Sequence, residues 1–183
     1  RAAIAEALRM NPNLKTEHIS VVFYKDEGLV RSQQMFSDLN RFAIKPTKSI
    51  NILFNSREES SVIAKRLIEE VDVFKGLVEK ERTAISNRSK ALFTLSAICT
   101  ATNELLKDIS APLEEKVSIA KQFWSTVGEC IGDWNTVKTG YRKSSEIRQE
   151  SICSLSITLV ALGFGGNALI QAYPHEWVDK LHA

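Results

Sequence analysis

Apolar positions recur with a helical period along most of the chain. Ile4 and Leu8 share one face of residues 1–10, which predicts a short helix, and Asn11-Pro12-Asn13 breaks it. Residues 18–24 (HISVVFY) are β-branched and aromatic and predict a strand. Over 29–44 the pattern turns helical again, with Met35, Phe36, Leu39, Phe42 and Ala43 as its inward stripe. Pro46 stops that helix, because the residue before a proline avoids helical dihedrals. SINILF at 49–54 fits either a strand or one turn of helix. Residues 58–71 predict a helix turning Val62, Ile63, Leu67 and Ile68 inward, and 77–85 a strand. Ser86 and Asn87 read as the cap of a helix from Ser89 to about Lys107, with Leu92, Leu95, Cys99, Thr102 and Leu106 as its stripe.

The sequence DISAP at 108–112 marks the expected internal boundary. Pro112 suits a first helical turn, and Glu114 and Glu115 suit the positive end of a helix. The helix that follows carries Leu113, Val117, Ala120, Trp124, Val127, Ile131 and Trp134, in steps of four and three without a slip. Such a seam packs against other helices, either within the chain or across a homodimer. Thr139-Gly140 marks a loop. A long helix is expected over about 144–162, ended by the glycines of GFGG at 163–166 and followed by a short helix to Ala172. The fold class is therefore α+β, predominantly helical. It divides into an α+β head at 1–107 and an all-α subdomain at 108–183.

Composition changes this picture little. The 183 residues are 44% hydrophobic and 25% charged, which is enough for a core without disulfides or metals. Cys99, Cys130 and Cys153 are scattered among apolar residues and read as buried thiols of a reducing cytoplasm. His18, His175 and His182 have no metal-ligand spacing. No phosphate-loop, hydrolase or metalloprotease signature is present, so no catalytic residue, metal or cofactor is assigned. The apolar run 152–170 nearly matches a bilayer in length. Its Ser, Thr, Asn and Gly residues favour a core helix over a membrane span. The chain opens at Arg1 directly into a helical pattern and reads as part of a longer protein.

Charge is where the candidate chemistry lies. The net charge of +2 hides three basic clusters: Arg41, Lys45, Lys48 and Arg57; then Arg88 and Lys90; then Arg142, Lys143 and Arg148. Guanidinium and ammonium groups with amides beside them are what phosphate contacts require, although each cluster alone also fits a solvated surface. In QQMFSDLNRFAIKP at 33–46, Gln33, Ser37 and Asn40 lie along one edge of the apolar stripe. There their polar groups could bond a ligand or a neighbouring backbone. Asp38 and Arg41 are spaced to pair.

Five stretches carry a resemblance. RAAIAEAL, HISVVFY, QQMFSDLNRFAIKPTKSINILFN, SNRSKALFTLSAI and SEIRQESICSLSITLVALG together resemble the DGQHR-domain family, in its DndB, DNA-sulfur-modification type. QQMFSDLNRxAxKP is the most specific part. Arg1 resembles the last residue of the Asp-Gly-Gln-His-Arg motif. The resemblance implies a bacterial, cytoplasmic repressor of phosphorothioation genes that binds double-stranded promoter DNA. It is also distantly similar to the ParB-type fold. That likeness implies the alternative of a nucleotide-binding or phosphodiester-cleaving protein, with Arg1, Gln33, Asn40 and Arg41 around one phosphate cleft. Taken together, DNA or phosphate contact is expected from Arg1, Gln33, Asn40, Arg41, Lys45, Lys48, Arg88, Lys90, Arg142 and Lys143.

Overall fold

The computed structural model describes residues 2–16, 18, 25, 28–41 and 45–182, the side chains of 2–4 and 39–41 excepted. By its internal contacts the chain forms two units, 1–44 and 45–183. The first holds α1 (Ala2–Met10), a 3-10 turn at Pro12–Thr16, and α2 (Leu29–Arg41). Gly28, at φ 101°, makes the turn into α2 where a side chain would be strained. On α2, Met35 is half-buried but Phe36 is 71% exposed, against the expected stripe. The strand predicted over 18–24 lies, except for His18, outside the described residues.

The second unit is built of helices around a two-residue sheet. SINILF is helical: α3 (Lys48–Phe54) begins where the Thr47 hydroxyl accepts from the Ile50 N–H at 3.2 Å. On α4 (Glu59–Glu70), Ile63, Leu67 and Ile68 face inward as expected, joined by Ala64, whereas Val62 is only half-buried. The strand expected over 77–85 is reduced to β1 (Val78–Glu79). It pairs in parallel with β2 (Phe93–Thr94), Val78 opposite Phe93. The Leu77 carbonyl accepts from both the Leu92 and Phe93 N–H groups. That pairing holds the backbone extended through Leu92 and Phe93. The helix expected from Ser89 therefore starts later, as α5 (Leu95–Leu105), with the Thr94 hydroxyl accepting from the Ala97 N–H at 3.2 Å.

Asp108 (φ 59°) turns the chain into α6 (Leu113–Cys130), which is followed by a break at Ile131 and α7 (Gly132–Lys138). Val117, Ala120, Trp124, Val127 and Trp134 of the regular seam are all buried inside this unit, so the seam is used within the chain. Trp124 donates its indole N–H to the Thr102 hydroxyl at 3.0 Å. Phe74, Phe93 and Trp134 stack edge to face, at 5.4 Å between the two phenylalanines and 4.9 Å between Phe93 and Trp134. The DISAP turn is present but joins α5 to α6 inside one core. The division by contacts falls between Ile44 and Lys45, because the buried faces of α4, α5 and α6 belong to a single cluster.

Next come α8 (Ser144–Glu150), a 3-10 turn at Ile152–Ser154, α9 (Ser156–Ala172) and α10 (Trp177–His182), which buries Trp177. GFGG does not end a helix; α9 runs through it. A Cβ on Gly163 would stand 2.2 Å from the Ala101 carbonyl oxygen, and one on Gly166 2.3 Å from the Phe123 ring. The glycines are there for close packing of α9 on α5 and α6. Among the described residues no helix is long and apolar enough to cross a membrane. Of the three thiols only Cys99 is buried; Cys153 is half-buried and Cys130 exposed, near the C-terminal end of α6.

Candidate nucleic-acid interface

Two of the three basic clusters are brought together. Residues 87–90, Gly76-Leu77 and the stretch from Val137 through α7 to Ser145 enclose a groove of about 750 Å³. Arg88, Lys90, Arg142 and Lys143 all line it, along with Lys138. Although Lys90 and Ser144 are 54 residues apart in the chain, the loop carrying Arg88 and Lys90 is fastened directly to α8. The Ser144 hydroxyl donates to the Lys90 carbonyl at 2.6 Å. The Arg148 guanidinium donates to the Ser86 carbonyl at 2.9 Å, to Ser89 at 3.5 Å and to the Ala91 carbonyl. Burial pushes the Arg148 pKa down, yet an arginine remains charged at any ordinary pH. A half-buried cation is here satisfied by three carbonyl oxygens, which fixes the shape of the loop.

The five cations are not equivalent. Lys138 is bound to Asp72, through the carboxylate and through the backbone carbonyl at 3.0 Å. Arg142 pairs with Glu150 and lies 3.9 Å from both Asp133 and Glu146. The Glu150 hydrogen bond is the main cause of its raised pKa. Among the described residues Arg88, Lys90 and Lys143 make no ion pair, and all three are exposed. Those three have positive charge to offer an incoming phosphate, while Arg142 and Lys138 are already half neutralised. Ser145 and Asn87 add uncharged hydrogen-bonding groups to the lining.

The remaining expected residues lie elsewhere. Lys48 donates to the Thr100 hydroxyl at 2.9 Å, at a shallow pocket of about 280 Å³ shared with Ser156 and Ile157. Lys45 is exposed, and Gln33 is exposed on α2. Arg1 and the side chains of Asn40 and Arg41 lie outside the described residues, and so does the expected Asp38–Arg41 pair. Asp38 accepts instead from the Gln34 amide at 2.9 Å. The helix start expected at Ser86-Asn87 is a turn, and α5 begins only at Leu95.

Sequence reasoning missed the roles of Ser144, Arg148 and Lys138. Their partners are backbone carbonyls and a carboxylate more than fifty residues away, and no local spacing reports such a contact. Among the described residues no group of His, Cys, Asp and Glu gathers as metal ligands would.

No curated protein and no solved structure matches this chain. The sequence profile of DndB, described as DNA-sulfur modification-associated, matches residues 1–183. With that match over its whole length, the chain belongs to the DndB family of DNA-sulfur modification-associated proteins.

Proposed function

We propose that this protein is a cytoplasmic, DNA-binding repressor of a phosphorothioation gene cluster, and that the groove between the 86–91 loop and α8 contacts the DNA backbone. The observation that carries this reading is the convergence of Arg88, Lys90 and Lys143, unpaired by carboxylates among the described residues, on one groove whose loop is held by Arg148 and Ser144. A fixed row of cations engages phosphates without reorganising first, and membership of a family associated with DNA sulfur modification supplies the nucleic acid. Arg142 contributes less, because Glu150 already holds it.

The test is binding of the full-length protein to duplex promoter DNA across a salt series. Affinity is expected to fall steeply with salt. Replacing Arg88, Lys90 and Lys143 with alanine is expected to make the log–log slope shallower by about 3, at roughly 0.9 per phosphate released. Salt-insensitive binding, or an unchanged slope in the triple variant, counts against this groove as the DNA site.

A further inference from the structure

Helix α9 carries no charged residue in its seventeen positions, SITLVALGFGGNALIQA, and its polar side chains are Ser156, Thr158, Asn167 and Gln171. One side is accounted for: Leu159, Gly163, Gly166 and Ile170 are buried on the core. The opposite side is open. Ile157 (75% exposed), Ala161, Phe164 (69%) and Ala168 form a stripe with steps of four, three and four, flanked by exposed Gly165. Ile152 (72% exposed) and Leu155 extend the apolar surface into the preceding turn. Four-three steps are the spacing with which one helix packs against another.

The order of large and small residues says which helix. Take a two-fold axis crossing α9 midway between Ala161 and Phe164. It sets a second, antiparallel α9 so that Ile157 lies opposite Ala168 and Ala161 opposite Phe164. Every large residue meets a small one, on both sides at once. Self-complementarity of this kind is what an isologous interface needs. With no charged residue on α9, the two helices themselves bring no like charges together.

We propose that the outer face of α9 is a homodimer interface, with two copies of this chain packed antiparallel through Ile157, Ala161, Phe164 and Ala168. The size of the stripe sets its strength. A seventeen-residue helix is about 25 Å long and about 10 Å wide, so its face covers on the order of 250 Å². Stable interfaces take roughly 800 Å² per partner. Even with Ile152 and Leu155 added, the dimer is of the weak class and dissociates on dilution. This dimer does not depend on DNA binding.

Light scattering of the full chain across a wide concentration series is expected to show mass rising from monomer towards dimer. Phe164→Glu places a charge on each side of the two-fold axis, at the centre of the seam, and is expected to weaken association roughly a hundredfold or more. Phe164 is exposed, so the variant is expected to keep the native melting temperature; Ala161→Glu provides the same test at a second position. For the register, Ile157→Cys and Ala168→Cys are made separately in a Cys130→Ser background and oxidised. A disulfide is expected when the two variants are mixed. Neither is expected to cross-link alone, because like positions lie about 16 Å apart in the antiparallel pair. A monomer at every concentration, a dimer indifferent to both glutamates, or cross-linking of each cysteine variant with itself would overturn the proposal.

Discussion

Arg148 illustrates how a single side chain organises a site without belonging to its surface. It spends its donors on the carbonyls of Ser86, Ser89 and Ala91, and thereby sets where Arg88 and Lys90 stand. Hydrogen bonds to a charged group contribute about 1.5–3 kcal/mol each where they are shielded, and less at partly exposed atoms. Arg148→Met is therefore expected to lower stability by about 1–3 kcal/mol in chemical denaturation. It is also expected to speed amide exchange over 86–91. Its DNA affinity should fall while the salt slope stays near the wild-type value, since no phosphate contact is removed. A slope as shallow as in the triple variant would instead make Arg148 a direct contact.

Glycines make the same point about position. Gly163→Ala would press a methyl group into the Ala101 carbonyl and is expected to cost about 3 kcal/mol or more, since backbone cannot yield as a side chain does. Gly165, two residues on, meets nothing within 4 Å. Gly165→Ala is expected to stabilise the isolated monomer by about 0.5–1 kcal/mol through helix propensity. Paired denaturation curves at low protein concentration check both. Two glycines of one motif thus have opposite tolerances, and only the packing tells them apart.

At the scale of elements, α4 and α6 are joined on their outer faces by a run of ion pairs. Glu59 meets Lys116 at 3.0 Å, Arg66 meets Glu114 at 2.8 Å to both carboxylate oxygens, and Glu70 meets Arg66 at 3.1 Å and Lys121 at 2.6 Å. Hydrogen bonds from Lys121 first, and Arg66 second, hold the Glu70 carboxyl below its ordinary pKa. A carboxyl lowered by folding stabilises the native state above its unfolded pKa, and that contribution is lost as pH falls through the folded value. Melting temperature is therefore expected to drop with acidification, and less so in Glu70→Gln, when both are followed through the carboxylate range. The effect is small, because these groups face solvent.

Elements also show what could be read in advance. The helices with a strong apolar period and a described buried side (α4 and α6) were legible, because periodicity records which side is buried, and α1 was legible as a helix. So was α2 as a helix, although its Phe36 is exposed. The Ser89 helix start was not legible, because Leu92 and Phe93 pair with Leu77 across fifteen residues and that pairing overrides a local cap signal. The end expected at GFGG failed for a related reason. Glycine is a poor helix former, but the contact of α9 with α5 admits nothing larger.

For the whole molecule, the buried aromatic and aliphatic cluster lies, among the described residues, within 45–183. A fragment of those residues is expected to unfold in one cooperative transition, with the near-ultraviolet signal of its buried tryptophans intact. A broad, non-cooperative melt would mean that 1–44 is needed for folding.

The sequence by itself determined the helical character, the buried faces of the long helices and membership of the DndB family, because these depend on local periodicity and on residue identity in order. It also supplied the basic residues, but as separate clusters, each no more than a solvated patch. Tertiary structure alone decided that two of those clusters share a groove while Lys48 lines a separate pocket, that Lys138 and Arg142 are already paired, and that α9 turns one apolar side to the core and another outward. Charge density at a surface depends on distances through space, and chain order does not contain them.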